Sequence, residues 1–150
     1  MKPLLVLLAT FGIAVFVPKA IRTEYDFALA ARIAMAVMLV FTVVGHFAFT
    51  KGMAMMIPDF IPFKKELVYA TGVMEILAAI GLLTPNLRVV TGWFLILFFI
   101  VLLPANINAA IKQIDYQKAT FQGEGLNYLW FRIPLQVLFI LWTYISSTRF

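Results

Sequence analysis

Residues 87–103 read LRVVTGWFLILFFIVLL, a run of 17 positions in which Arg88 is the only charged residue. A helix that crosses the hydrocarbon core of a bilayer needs about 17–25 mostly apolar residues. Inside that core every backbone polar group must find its partner within the protein, and a helix satisfies these groups internally. The run therefore predicts a transmembrane helix.

Four further apolar runs surround this one, at residues 4–17, 27–49, 67–83 and 126–145. The turn Thr84-Pro85-Asn86 is too short to let the chain cross the membrane, so the helices on either side of it are antiparallel neighbours. We predict an all-α, polytopic transmembrane helical bundle that forms a single domain over residues 1–150. Its helices are expected at about 2–20, 27–49, 66–83, 87–107 and 126–146.

The composition agrees with a membrane protein. Hydrophobic residues make up 63% of the 150 residues and charged residues 13%, whereas soluble domains have about 45–50% and about 25%. The expected partner is therefore the lipid bilayer. The net charge of +5 is not arranged as a basic surface interleaved with aromatic residues, so no nucleic-acid partner is expected.

The sequence has no cysteine and a single histidine. Disulfides, thiolate catalysis and cysteine-bound metal centres are therefore excluded within this chain. One His and one intramembrane Glu do not supply the three or four ligands of a usual metal site. We predict no metal site.

A few polar residues interrupt the apolar runs: His46, Glu75, Asn106, Arg132 and Gln136. A charged residue at the centre of a spanning helix costs about 2.5–3.5 kcal/mol on insertion scales, so such residues are functional candidates. Because consecutive helices run in opposite directions, these five side chains fall between the midplane and one side of the membrane. We predict that the other half of the bundle is plain apolar packing.

The shared depth of these groups predicts a polar cavity inside the membrane, in which Glu75 and Arg132 form the natural ion pair. Tyr69 lies about two turns before Glu75 on the same helix. The candidate ligand-binding residues are His46, Tyr69, Glu75, Asn106, Arg132 and Gln136.

Structural roles compete with this interpretation. Glu75 and Arg132 could only clamp two helices together, and His46 could bond a carbonyl near the headgroups. Asn106 could cap a helix that Pro104 kinks or breaks. No catalytic residue is assigned from the sequence.

Several stretches resemble the DoxX-like family of small bacterial membrane proteins, in order over roughly residues 30 to 145. They are Gly45-His46-Phe47, Met56-Ile57-Pro58 with Pro62, Tyr69-Ala70-Thr71-Gly72-Val73-Met74-Glu75, Gly81-Leu82-Leu83-Thr84-Pro85, Pro104-Ala105-Asn106-Ile107 and Arg132-Ile133-Pro134-Leu135-Gln136. The resemblance implies a core of four transmembrane helices, to which the run at 4–17 adds an extra N-terminal helix. It also implies a multi-pass protein of the bacterial inner (cytoplasmic) membrane.

The function that the resemblance implies is that of a redox-associated subunit, since the family is named for a subunit linked to a thiosulfate:quinone oxidoreductase. We expect a quinone-like or lipid-like ligand in the polar cavity. A quinone is thus a possible cofactor, although the residues themselves require none. The alternatives are a non-catalytic assembly or stabilising partner of another membrane protein and, less favoured, a small transporter acting as a homo-oligomer. Whether the chain is an enzyme stays open.

Overall fold

The computed structural model describes residues 2–22 and 24–149, and the regular elements of these ranges are helices. The only β-type pairing among them is an isolated bridge between Asp115 and Thr120. The helices are α1 (Lys2–Ala14), α2 (Phe16–Arg22), α3 (Phe27–Ala48), α4 (Thr50–Met56), α5 (Lys64–Leu83), α6 (Arg88–Ile111) and α7 (Asn127–Thr143), and a π-helix over Tyr144–Arg149 continues α7.

Five helical stretches of the described chain are long and apolar enough to cross a membrane. The first joins α1 and α2 over Lys2–Ile21, and the last joins α7 to the π-helix over Asn127–Arg149. Their mean hydropathy lies between 1.3 and 2.4. The chain is therefore an all-helical, multi-pass membrane protein, as the composition predicts.

Two segments differ from the expectation. The connection between the second and third apolar runs is partly helical, because α4 occupies its first seven residues. Helix α6 continues through Pro104 to Ile111, four residues beyond its expected end at about 107. A membrane helix tolerates an interior proline because neighbouring helices and local adjustments satisfy the freed backbone groups.

Helix α3 is the central element of the packing. It packs against α1 and α5, while α6 packs against α5, α7 and the π-helix. The buried apolar core includes Met35 and Leu39 of α3, Leu82 of α5, Leu95 of α6 and Phe139 of α7. The contact between α3 and α5 is close because Gly72 has no side chain: a Cβ there would lie 3.3 Å from the Cβ of His46.

A polar layer covers the end of the helices where α3 finishes. The side chain of Asn108 donates to Met56 O at 2.9 Å, and Lys112 Nζ donates to Asp59 at 2.6 Å. Gly52 of α4 lies directly against the backbone carbonyl of Tyr116, so no larger residue fits there without a shift of the chain. Helix α4 and the residues after it are thereby fixed to the end of α6 and the residues that follow it.

Candidate functional site: a buried Thr–His–Glu cluster

Two adjacent helices bring three polar side chains together inside the membrane. Thr42 and His46 lie one turn apart on α3, and Glu75 lies on the facing side of α5. Thr42 Oγ1 donates to Glu75 Oε2 at 2.8 Å, and His46 Nδ1 lies 3.5 Å from the same oxygen. The Glu75 side chain is 6% exposed and that of His46 12%. We call these three residues the Thr–His–Glu cluster.

The backbone sets the tautomer of His46. Its Nδ1 lies 2.9 Å from Thr42 O, and because a carbonyl oxygen only accepts, Nδ1 carries a hydrogen and donates it. In the neutral ring Nε2 is then the acceptor. Within the described residues no hydrogen bond engages Nε2.

The hydroxyl of Thr42 has more acceptors than it has hydrogens. Its Oγ1 is 2.8 Å from Leu39 O and 2.8 Å from Glu75 Oε2, yet a hydroxyl donates only one hydrogen bond. Thr42 Oγ1 therefore shares its one hydrogen between the two acceptors. The Glu75 carboxyl is thus held by a donor that also serves the backbone of α3.

The expected ion pair between Glu75 and Arg132 is not formed in the described part of the chain. Glu75 is bonded by Thr42 instead, although Arg132 is near enough for its charge to attract the carboxylate. The reason is packing: α5 lies against α3 and α6, whereas α7 packs chiefly on α6. Similar depth in the membrane did not bring the two side chains into an ion pair.

Three other predicted site residues line the interior near α6 and α7. Gln136 Nε2 donates to Phe99 O at 2.5 Å, and Asn106 is buried. Gln136 Oε1 and Arg132 Nε are buried without a hydrogen-bond partner among the described residues. Arg132 and Gln136 lie one helical turn apart on α7. In the described chain this helix therefore has one unpaired donor, Arg132 Nε, and one unpaired acceptor, Gln136 Oε1, for a further group.

Tyr69 is the predicted site residue that lies apart from the cluster. Its ring stacks on Phe47 with centroids 5.5 Å apart, and 41% of the residue is exposed. Because an exposed side chain on a spanning helix faces lipid, Tyr69 lies at the outer rim of the α3–α5 contact. It flanks the cluster rather than completing it.

A family comparison covers most of this framework. The sequence model of one family, described as a domain of unknown function (DUF8561), matches residues 35–147. The chain belongs to the DUF8561 family. No curated protein and no solved structure matches it. The DUF8561 region contains Thr42, His46, Glu75, Arg132 and Gln136, and it begins after α1 and α2.

The other half of the membrane is not plain apolar packing, and that prediction was wrong. Arg32, which precedes the DUF8561 region, is 7% exposed, and its Nη1 donates to Ser146 O at 3.0 Å. Trp142 Nε1 donates to Ala31 O at 3.0 Å beside it. Arg32 stands inside an apolar run, which was the available signal. Its partner is a backbone atom of the π-helix, which no side-chain pattern reveals.

Two cavities lie at the same end of the helices as Arg32. One of about 430 Å³ lies between α1, α3 and the C-terminal helix, and one of about 420 Å³ lies at the α2–α3 connection. Neither is lined by any of the six predicted site residues. In the described part of this DUF8561 chain, no three His, Cys, Asp or Glu side chains converge as metal ligands.

Proposed function

We propose that this chain is a DoxX-like, redox-associated subunit of the bacterial cytoplasmic membrane, and that it binds a quinone-like or lipid-like amphiphile at the Thr–His–Glu cluster. The observation that carries the proposal is the 3.5 Å approach of His46 Nδ1 to Glu75 Oε2 on buried, facing helices. The resemblance of the stretches around His46, Glu75 and Arg132 to the DoxX-like family adds support. In this proposal α3, α5, α6 and α7 are the four core helices, and α1 with α2 is the additional one.

The chemistry of the cluster fits a quinone carbonyl. Such a carbonyl needs a hydrogen-bond donor, and reduction of the ring requires a proton from a nearby titratable group. When His46 accepts a proton on Nε2, both ring nitrogens become donors. Nε2–H then faces the ligand, and the Glu75 carboxylate at 3.5 Å from Nδ1 stabilises the positive ring. The electrons come from a partner oxidoreductase, which is why we propose a subunit.

A second candidate function is a non-catalytic assembly or stabilising partner of another membrane protein. The hydrogen bonds that favour it join helices: Thr42 to Glu75 links α3 to α5, and Gln136 to Phe99 O links α7 to α6. Hydrogen bonds between membrane helices contribute about 0.6 kcal/mol each on average. In this case the cluster holds the fold together and contacts no ligand.

Quinone binding in detergent separates the two functions. Purified wild-type protein is titrated with a benzoquinone that carries a decyl chain, and the same titration is done with His46→Ala and Glu75→Gln. A matched control is Thr71→Val, because the one partner of the Thr71 hydroxyl among the described residues is Val68 O of its own helix.

We expect the two cluster variants to lose about tenfold or more in affinity, which corresponds to about 1.4 kcal/mol, while Thr71→Val binds as the wild type does. Equal quinone affinity in all four proteins contradicts the proposal. A wild-type protein that binds no quinone, together with a specific co-purifying membrane protein that Glu75→Gln loses, supports the stabilising partner instead.

A further inference from the structure

Arg32 is a buried cation with very few partners. It lies in the second turn of α3, 7% exposed, and its one hydrogen bond among the described residues is the 3.0 Å contact of Nη1 with Ser146 O. A guanidinium has five N–H donors. In the described chain no carboxylate comes within 4.0 Å of it. Removing a charge from water is costly unless an opposite charge compensates it.

The charges around Arg32 do not compensate it. Arg88, at the start of α6, repels the guanidinium, and Asp26 attracts it. Asp26 is already engaged, because its carboxylate accepts from Leu29 N at 2.9 Å and caps α3. Asp26 is the one anion among the described residues whose charge acts on Arg32, and Arg88 opposes it, so positive charge around the guanidinium stays in excess. A negative charge from outside the chain would offset that excess.

An apolar groove adjoins the hydrogen bond between Arg32 and Ser146 O. The cavity of about 430 Å³ is lined by Phe11 of α1, by Ala28 and Ala31 of α3, and by Trp142 and Ser146. Ser146 is therefore both a wall of the groove and the acceptor for Arg32. The remaining lining is almost entirely apolar side chain, which suits hydrocarbon.

We propose that this end of the protein is a binding site for an anionic phospholipid, with its phosphate on Arg32 and Arg88 and one acyl chain in the groove beside Trp142. A phosphodiester carries a negative charge that offsets the excess of positive charge around Arg32. Arginine forms forked, charge-assisted hydrogen bonds with phosphate oxygens. The site lies at the opposite end of α3 from the Thr–His–Glu cluster and is independent of the proposed function.

Trp142 is a reporter for this site. Its indole N–H is bonded to Ala31 O and its ring packs edge-on against Phe11, with centroids 5.0 Å apart. The other tryptophans, Trp93 and Trp130, are 55% and 84% exposed and would respond to any surrounding lipid. Trp93→Phe and Trp130→Phe therefore define the background protein, in which Trp142 is the only tryptophan.

The experiment titrates the background protein, in a nonionic detergent, with phosphatidylglycerol that carries brominated acyl chains, and follows quenching of Trp142. Diacylglycerol with the same chains is the phosphate-free control lipid. Competition with inorganic phosphate separates a lipid site from a site for a free anion. The variants are Arg32→Gln, Arg88→Gln and, as a control that removes one positive charge from the other end of the helices, Lys65→Gln.

We expect phosphatidylglycerol to quench Trp142 at about tenfold lower concentration than diacylglycerol does, as charge-assisted contacts to phosphate require. Arg88→Gln and Arg32→Gln should remove that difference and Lys65→Gln should keep it. The Arg88 side chain makes no hydrogen bond in the described structure, and its backbone bond to Thr84 O is kept in the variant, so Arg88→Gln tests the site even when Arg32→Gln fails to fold. Equal quenching by the two lipids, unchanged phosphatidylglycerol binding in Arg88→Gln, or displacement of the lipid by inorganic phosphate each overturns the proposal.

Discussion

Replacing Thr42 with valine removes one partly buried hydroxyl and preserves the branched shape of the side chain. The hydroxyl oxygen lies 2.8 Å from Glu75 Oε2 and 2.8 Å from Leu39 O. In Thr42→Val the Glu75 carboxyl loses the contact that ties α5 to α3 while staying buried. We therefore expect the variant to be less stable, and the loss to depend on the presence of Glu75.

The magnitude follows from the kind of bond. A neutral hydrogen bond contributes about 0.5–1.5 kcal/mol net, and one to a charged group about 1.5–3 kcal/mol. Inside membranes measured side-chain bonds average about 0.6 and reach about 1.7 kcal/mol. Without Glu75 the Thr42 hydroxyl can still donate to Leu39 O, so the double-mutant cycle measures the net gain of the bond to Glu75 over that local bond. We expect a coupling of about 1 kcal/mol between Thr42 and Glu75, a roughly fivefold change in the unfolding constant.

The assay is reversible unfolding in mixed micelles with increasing SDS, followed by tryptophan fluorescence. Four proteins close the cycle: wild type, Thr42→Val, Glu75→Met and the double variant. Methionine approximates the volume of glutamate and adds no hydrogen bond of its own to Thr42. A second cycle with Thr71→Val in place of Thr42→Val is the control and should be additive. A Thr42–Glu75 coupling below about 0.3 kcal/mol, within the usual scatter of additive pairs, refutes the reasoning.

Two further predictions concern the polar layer and the small residues. Gly52→Ala should destabilise the protein by about 1–3 kcal/mol or more, as overpacking does, because the added Cβ would collide with the Tyr116 carbonyl. The control is Gly12→Ala, whose added Cβ meets nothing within 4 Å. It should be neutral or stabilising in the same SDS assay. Hydrogen bonds from lysines, Lys112 first, lower the pKa of Asp59 below its ordinary 3.8. The lysine contacts therefore stabilise the segment around Asp59 at pH values above 3.8. This stabilisation is lost as the pH falls through the lower pKa that Asp59 has in the folded protein. Hydrogen exchange of this segment should be faster in Asp59→Asn than in wild type at about pH 6, and the difference should shrink as the pH falls below 3.8. Equal rates at about pH 6 contradict the prediction.

The candidate site was only partly predictable. His46 and Glu75 are found from sequence because an ionisable group in an apolar run is costly and conspicuous. Thr42 is not conspicuous, since a threonine in a membrane helix usually bonds a carbonyl of the preceding turn, and Thr42 does so as well. Its second contact, with Glu75, depends on which face of α3 meets α5. The predicted ion pair between Arg132 and Glu75 failed for the same reason. It rested on similar depth in the membrane and not on which helix faces meet.

What the sequence determined by itself is the membrane character of the chain and the five segments able to cross a bilayer. These properties depend on the hydropathy summed along each segment, and this sum does not change with the helices that pack against the segment. The tertiary structure alone decided the partners: Thr42 rather than Arg132 for Glu75, and Ser146 O for Arg32. Partners depend on the rotation of each helix and on how closely two helices approach, as at Gly72. That geometry arises from packing between segments that lie far apart in the chain.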